Sequence, residues 1–375
     1  MTARRPSITD VARRAGVSKA TVSAVINDSS PVSDVTRERV RAAIEALNYR
    51  RAAAAGAAAG AATAAARAGR CIAIVIKEID NPYYGEIIAA ARAEASVAGY
   101  TLLAVSSEGD YAGERQAVRL LQAKDVDGLI VTPVLDEHAD LSHLFELKRR
   151  NFPFVLLEEI RGVPASLVDV DNVEGSRRAV AHLIELGHTR IVHFAGPQYS
   201  THTQERIDGV RRAFSASRLA FGDEDVVTAG AHLEDGYRCG LELFRARAAE
   251  TRPTGITCYN DLVALGLCRA LAELGLRVPE DVSVIGFDDI AMLTYLPRPL
   301  TTVRIPKGDM GRIAARMLIR HVEAKGVEPP KKVYLDAKLM VRASTGPSIA
   351  RGEHSAPASA SHQHPVDRAT RRRVP

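Results

Sequence analysis

Residues 7–50 have the pattern of three short helices separated by turns, and this feature constrains the chain most. Ser7 can cap a first helix, because Asp10 stands three residues later and can complete a capping box. Gly16 follows the first apolar face and suits the left-handed turn that ends a helix. Ser18 can cap a second helix, and a third amphipathic helix follows it. The pattern predicts an all-α helix-turn-helix with a supporting helix.

The second of these helices carries the residues expected to contact a partner. In a helix-turn-helix the second helix lies in the DNA major groove, and its N-terminal residues contact base edges. The free amides where that helix begins also suit a phosphate group. The DNA-binding candidates, with the last as a phosphate contact, are Ser18, Lys19, Ala20, Thr21, Ser23, Asn27 and Arg50.

The charge of the first 51 residues agrees with a nucleic-acid partner. Ten Lys or Arg stand against five acids, a balance of +5 that equals the formal net charge of the whole chain. The other residues therefore sum to zero, and the basic charge is concentrated where DNA contacts are predicted. The alternative is a three-helix bundle used for protein contacts, which the spacing of the glycine and hydroxyl residues disfavours.

Several runs of this region resemble a known family. DVARRAGVSKATVSAVIN, TRERV and AAIEALNY are similar to the DNA-binding domain of the lactose-repressor/galactose-repressor (LacI/GalR) family of bacterial transcription factors. The resemblance implies a homodimer that binds a pseudo-palindromic operator in double-stranded DNA. It also implies a sensor for a sugar-type effector, so we assign residues 1–51 to DNA binding and expect the sensor after them.

Residues 52–70 form an alanine-rich linker or hinge. Alanine favours a helix, whereas Gly56 and Gly60 each cost about 1 kcal/mol in a helix interior. LacI/GalR members usually have a hinge helix whose leucine enters the minor groove, and Ala58 aligns with that leucine here. A methyl group cannot unstack a base step as a leucine does. A passive tether and a hinge that folds only on DNA therefore both stay open.

From Cys71 onward, short apolar runs alternate with amphipathic segments. Such alternation builds parallel sheets through right-handed crossovers. A first series predicts strands at CIAIVI, YTLLAV, GLIVT and PFVLL, and a second series predicts strands at SLVDV, RIVHF, GITCY and VSVIGF. The two series predict that residues 71–347 form an α/β sensor of two lobes with parallel sheets.

Polar and aromatic residues follow these predicted strands, where ligands of open α/β sheets bind. Carboxylates, an amide, an arginine and aromatic rings in one cleft suit a polyhydroxylated ligand. The effector-binding candidates are Tyr83, Tyr84, Glu158, Ser200, His202, Arg206, Asn260 and Asp288. Structural alternatives also exist, since Asn81 could cap a helix, Asp261 could be the N-terminal acid of a helix, and Arg206 could pair with a neighbouring acid.

The sensor region carries further LacI/GalR signatures, among them NPYY, HLIELGHTRI, NDLVALG and VPEDVSVIGFDD. By that resemblance, Arg206, Asn260 and Asp288 match positions that hydrogen-bond the effector, and the tyrosines of NPYY match ring-stacking positions. Ser200 and His202 lie in the variable loop before Arg206, so they are candidates for choosing the ligand.

The resemblance also implies a fold like that of periplasmic sugar-binding proteins, in which the chain crosses between the lobes three times. We expect one crossing at residues 299–306, and the helix after it, 307–323, is a candidate for the dimer contact. The expected boundaries are about 71–160 and 290–321 for lobe 1, and about 161–289 and 322–345 for lobe 2.

Composition also bears on metal sites, on cellular location and on disorder. The four cysteines lack CxxC pairing and zinc-like His spacing, so we predict reduced core residues, no metal and no cofactor. The N-terminal MTARRP lacks the apolar region of a signal peptide, and no stretch is long and apolar enough for a bilayer, so we predict a cytoplasmic protein without membrane contact. Residues 348–375 lack periodicity and predict a disordered tail.

These features predict a ligand-responsive DNA-binding repressor. We do not expect an enzyme, because the sequence has no G-x-S-x-G, P-loop, HExxH or dinucleotide-binding fingerprint. The alternatives are a cytoplasmic sugar-binding module and a regulator controlled by a partner protein rather than by a small effector.

Overall fold

A computed structural model divides the chain into two units, residues 1–68 and 69–375. The residues that it describes are 7–27, 32–46, 70–124, 126–136, 140–324 and 328–348. The predictions for Arg50, for linker residues 52–69 and for tail residues 349–375 lie outside the described residues.

The first unit is a three-helix unit that follows the predicted caps. Its helices are α1 (Ile8–Ala15), α2 (Lys19–Asn27) and α3 (Asp34–Ala46). Ser7 and Asp10 form the predicted capping box, in which the Ser7 amide donates to Asp10 Oδ2 at 2.8 Å. Gly16 ends α1 with a φ of 64°, and the Arg39 guanidinium donates to the Ala15 carbonyl at 2.7 Å. The turn between α1 and α2 is therefore held from α3 as well.

A small apolar core joins the three helices. Its buried members are Val11, Ala12, Ala15, Val22, Val40 and Ala43. Val22 belongs to α2, so its burial fixes which face of α2 is turned outward.

In the second unit, helices and strands alternate as predicted. The helices are α4 (Tyr83–Val97), α5 (Tyr111–Ala123), α6 (Ser142–Arg149), α7 (Asn172–Glu185), α8 (Thr201–Ser217), α9 (Leu233–Ala246), α10 (Asp261–Glu273) and α11 (Lys307–Glu323). The strands are β1 (Cys71–Ile76), β2 (Thr101–Ser106), β3 (Gly128–Val131), β4 (Phe154–Leu156), β5 (Ser166–Val170), β6 (Ile191–Ala195), β7 (Val226–Thr228), β8 (Gly255–Cys258), β9 (Ser283–Asp288), β10 (Thr301–Arg304), β11 (Lys332–Leu335) and β12 (Lys338–Met340).

The described strands form two six-stranded sheets, one in each lobe. Lobe 1 has the order β11-β5-β4-β3-β1-β2, and lobe 2 has the order β12-β10-β9-β8-β6-β7. Strand pairs are parallel in both lobes, whereas β12 runs antiparallel to β10. Helix pairs α4/α11, α7/α8 and α9/α10 pack closely. Gly311 permits the first of these, because a Cβ there would lie 2.2 Å from the Ile87 carbonyl oxygen.

The expected lobe boundaries are wrong in three places. The SLVDV strand β5 pairs with β4 and so belongs to lobe 1, not lobe 2. Strand β10, expected within a crossing, pairs with β9 in lobe 2. Strand β11, expected in lobe 2, pairs with β5 in lobe 1. An apolar run shows that a strand is buried but not which sheet it joins, because strand pairing is not local in sequence.

Within the described residues the chain crosses between the lobes three times, the number that the resemblance implied. The crossings lie at residues 171, 305–306 and 336–337. None of the helices in the described ranges is long and apolar enough to cross a membrane.

Candidate functional site

The start of α2 presents the predicted DNA-binding residues to solvent. Ser18, Lys19 and Ala20 are exposed, whereas Thr21 and Ser23 are half-buried. Ser18 Oγ accepts a hydrogen bond from the Thr21 amide at 3.1 Å, as expected for a helix cap. This surface therefore carries one cation and several short polar side chains on a rigid helix start. Asn27 is the last residue of α2.

In the second unit, all eight effector-binding candidates line one cavity of about 240 Å³. It lies at the carboxyl ends of strands from both sheets, where the alternating pattern placed it. The structure thus brings together Tyr83, Tyr84, Glu158, Ser200, His202, Arg206, Asn260 and Asp288.

Glu158 is the centre of a buried polar network that joins the lobes. Lys77 Nζ lies 2.7 Å from Glu158 Oε2, and the Ser200 hydroxyl donates to Glu158 Oε1 at 2.6 Å. Burial alone raises the pKa of Glu158, but Lys77, His202 and Ser200 outweigh it and lower the pKa to about 2. The carboxylate is therefore ionised and already partnered by the protein.

His202 makes a second buried contact between the lobes. Its Nε2 lies 2.9 Å from Asp169 Oδ1 and 3.0 Å from Oδ2. Burial lowers the pKa of His202, but Asp169 and Glu158 reverse this and raise the pKa above its ordinary value. Asp169 lies inside β5 and His202 lies in α8, so the pair joins a strand of lobe 1 to a helix of lobe 2.

Arg206 is a buried cation held mainly by neutral groups. Its Nε donates to Asn172 Oδ1 at 3.0 Å, and its Nη1 donates to the Tyr259 carbonyl. The guanidinium carbon lies 3.8 Å from the centre of the Phe287 ring, a cation–π arrangement. Among the described residues Arg206 forms no ion pair with a carboxylate, so the alternative of pairing with a neighbouring acid is not realised there.

Some of the residues that follow β8 and β9 stabilise the fold, and others line the cavity. Asn260 caps α10, accepting from the Val263 amide at 2.8 Å, while its side chain also lines the cavity. Asp261 is fully buried and accepts from the Ile290 amide at 2.9 Å, which makes it a structural residue as the alternative proposed. Asp288 lines the cavity with a φ of 115°, and burial raises its pKa to about 6. Lys307 Nζ donates to its carbonyl at 2.6 Å.

Two tyrosines form an aromatic edge of the cleft. The rings of Tyr83 and Tyr84 meet at 76° with centres 5.0 Å apart. Burial raises the pKa of both hydroxyls well above the ordinary value. Asn81 Oδ1 accepts from the Tyr83 amide at 3.0 Å, so Asn81 supports the start of α4, although the N-cap residue itself is Pro82.

The cavity-lining residues that sequence reasoning missed include Lys77, Glu78, Thr132, Tyr259 and His232. Four of them directly follow β1, β3 or β8, so the rule that ligands bind at strand ends would have found them. The fifth, His232, comes after β7, and that strand has only three residues. A strand of three residues is too short to show the apolar pattern that predicts a strand from sequence.

Metal-binding and disulfide chemistry is not indicated in the part of the chain that the structure describes. His, Cys, Asp and Glu side chains of the described residues form no group of three or more that could hold a metal ion. The thiols of Cys71, Cys239, Cys258 and Cys268 are free.

Comparison with known proteins gives matches over both units. The family model for bacterial regulatory proteins of the lacI family matches residues 7–52, and the model for a periplasmic binding protein-like domain matches residues 180–345. The HTH-type transcriptional repressor PurR of Vibrio vulnificus (strain CMCP6) is 33% identical over 351 residues, which cover 90% of this chain and 97% of that protein. PurR of Vibrio campbellii (strain ATCC BAA-1116) is 34% identical over 352 residues, with the same coverage.

Two solved structures are similar over nearly the whole chain. A complex of the transcriptional regulator CelR with cellobiose is 30% identical, with a TM-score of 0.66, and covers 91% of this chain and 100% of that one. The lac repressor dimer bound to operator and the anti-inducer ONPF is 28% identical, with a TM-score of 0.65, and covers 92% of this chain and 100% of that one.

Proposed function

The chain belongs to the LacI family of bacterial regulatory proteins, and from that premise we propose that it is a homodimeric repressor of a pseudo-palindromic operator, controlled by a sugar-like effector. Its relatives are transcriptional repressors, so DNA binding and regulation of transcription are the common function. We propose that it acts in the cytoplasm, where a repressor meets its operator.

In the DNA-binding step, two three-helix units bind half-sites about one helical turn apart, or a multiple of it. Exposed Lys19 and Ala20 at the start of α2 support a base-reading role for this helix. The lac repressor relative is a dimer bound to operator, which supports the same assembly here.

The sensing step rests on one observation, the meeting of all eight predicted residues around a single cavity. Arg206 offers donors and Asp288 offers an acceptor, and a sugar hydroxyl can accept from the first and donate to the second. The rings of Tyr83 and Tyr84 offer apolar faces for the carbons of a sugar. The CelR relative is in complex with cellobiose, which supports a carbohydrate ligand.

The two steps are coupled through the conformation of the lobes. An effector can change DNA affinity only if it binds two conformations of the protein with different affinities. Ligand that closes the cleft would alter the spacing or order of the two DNA-binding units, which changes operator affinity.

The experiment uses the full chain. Light scattering gives its mass at working concentration, and selection from a random duplex library gives its preferred sites, which are then titrated with monosaccharides and disaccharides. We expect a dimer, inverted repeats among the selected sites, and a sugar that changes affinity. Arg206→Ala should keep the same sites and lose the sugar response. A monomer would contradict the dimeric repressor, and DNA affinity indifferent to every sugar would favour control by a partner protein.

A further inference from the structure

A contact between the two lobes lies at the solvent edge of the cavity. Glu78 follows β1 of lobe 1, whereas His232 directly precedes α9 of lobe 2. His232 Nε2 lies 2.7 Å from Glu78 Oε1. Both residues line the cavity, and the side chain of His232 is 59% exposed. This pair, the Glu78–His232 bridge, therefore spans the mouth of the cleft.

Both partners of the bridge are held by their own lobes. Asp235 Oδ2 accepts from the His232 amide at 3.0 Å and lies 3.1 Å from His232 Nδ1. On the opposite side, the Asn81 side-chain Nδ2 donates to Glu78 Oε2 at 3.5 Å. A Cβ on Gly109 would lie 3.4 Å from Glu78 Oε1, so the backbone closes in behind the carboxylate. The bridge is thus built into both lobes.

The inner side of the cleft is tied together by buried contacts. The Ser200 hydroxyl of lobe 2 donates to Glu158 of lobe 1 at 2.6 Å, and His202 meets Asp169 at 2.9 Å. Widening the cleft from this side would leave buried polar groups without partners, which is costly. The exposed mouth is therefore the easier place for a larger ligand to extend.

The cavity behind the bridge is small. Its volume is about 240 Å³, below the roughly 300–1,000 Å³ of pockets for drug-sized ligands. That space suits one sugar ring with its hydroxyls. A second ring would have to pass out through the mouth.

We propose that the Glu78–His232 bridge restricts the cleft to a polyhydroxylated ligand with a single ring, because it closes the exit that the second ring of a disaccharide needs. The inference rests on the proposed sugar-sensing function and deepens it. It distinguishes this chain from its CelR relative, whose ligand cellobiose is a disaccharide.

The test measures the melting temperature of the full chain with D-glucose, D-galactose and D-ribose, and with cellobiose, maltose and lactose. In the wild type, a single-ring sugar should raise the melting temperature more than the same concentration of any of the three disaccharides. An exposed ion pair accounts for at most about a fivefold change in affinity, so His232→Ala should improve disaccharide binding by up to that factor. The quantity compared is the ratio of the affinity for a disaccharide to the affinity for the single-ring sugar, which should rise in His232→Ala.

Two matched variants separate the bridge from general effects of substitution. His232→Gln can still donate to Glu78, so it should keep the wild-type preference for a single ring. Arg150→Ala removes a different exposed ion pair, which Arg150 forms with Glu146 within lobe 1. It should leave the affinities for both sugar sizes unchanged.

The results that would contradict the size restriction differ from the result that would contradict sugar sensing. Equal binding of both sugar sizes by the wild type, or no gain for disaccharides in His232→Ala, would overturn the size restriction while sugar sensing stands. A melting temperature unmoved by any of the six sugars would instead overturn the sugar assignment of the proposed function, and the inference with it.

Discussion

The three-helix unit and the two-lobed unit carry their candidate binding residues in opposite environments. Lys19 and Ala20 stand exposed at the start of α2, above a core that does not include them. Glu158, Arg206 and Asn260 are buried, and each forms hydrogen bonds with other groups of the protein. Recognition and stability are therefore separable in the first unit and coupled in the second.

The largest effect should come from breaking the buried pair between the lobes. Asp169→Ala removes the nearest partner of the buried His202, which should cost about 3–5 kcal/mol of unfolding free energy. Urea unfolding of the full chain measures it. The matched control is Asp208→Ala, since Asp208 forms an exposed pair with Arg211 at 3.4 Å on α8, and its loss should cost less than about 1 kcal/mol. Equal losses in the two variants would remove the contrast between buried and exposed charges.

A smaller effect is expected where the three-helix unit depends on backbone geometry. Gly16→Val places a branched residue at a φ of 64°, and its Cβ would lie 2.8 Å from Arg39 Nη2, so we expect a loss of about 2 kcal/mol. Duplex binding should fall, while sugar-induced stabilisation of the second unit persists. Gly85→Ala is the control, because nothing lies within 4 Å of its added Cβ. Loss of the sugar response in Gly16→Val would contradict the separation of the units.

The next prediction concerns a substitution that should weaken DNA binding without lowering the stability of the protein. Lys19→Ala should weaken binding to the selected operator by about 1–3 kcal/mol, because a base contact is lost. Its melting temperature should not change, since Lys19 is exposed. Arg50→Ala, a phosphate contact by prediction, should instead weaken all duplexes alike and flatten the salt dependence. Equal losses on operator and random duplex for Lys19→Ala would refute its assignment as a base contact.

Local chemistry explains what the sequence could predict. Ser7 and Gly16 define the ends of α1 through their own backbone and side-chain preferences, and the structure has both caps as predicted. The cleft was also predictable, because parallel strands deliver the residues that follow them to one edge. Even residues with a supporting role, such as Asn260, were placed at the cavity by this rule.

What could not be predicted depends on pairing between distant segments. Paired residues of β5 and β11, such as Leu167 and Lys332, are 165 positions apart in the sequence, and no local pattern says that the two strands adjoin. The His202–Asp169 contact has the same origin. One signal was available, since a carboxylate inside the apolar run SLVDV needs a buried partner. The identity of that partner required the fold.

The smallest effect concerns protonation in the cleft, where burial raises the pKa of Asp288 to about 6, against opposition from Arg206, Lys307 and His202. The folded state then holds this proton more tightly than the unfolded state, so the cost of ionising Asp288 is present above pH 6 and disappears below its ordinary pKa of 3.8. Relative to Asp288→Asn, the wild type should therefore gain about 1 kcal/mol between roughly pH 7 and pH 5.

His202 titrates in both proteins, so the comparison with Asp288→Asn reports the Asp288 carboxyl group together with its effect on Asp261, a buried neighbour whose pKa is raised by burial and by the Asp288 charge. Asparagine has nearly the same shape as aspartate, and both are enriched among residues with a positive φ, which this position has. Urea unfolding at a series of pH values gives the difference in free energy between the two proteins. A difference independent of pH would mean that Asp288 is solvated like an exposed acid, and the cleft would then resemble the three-helix unit rather than contrast with it.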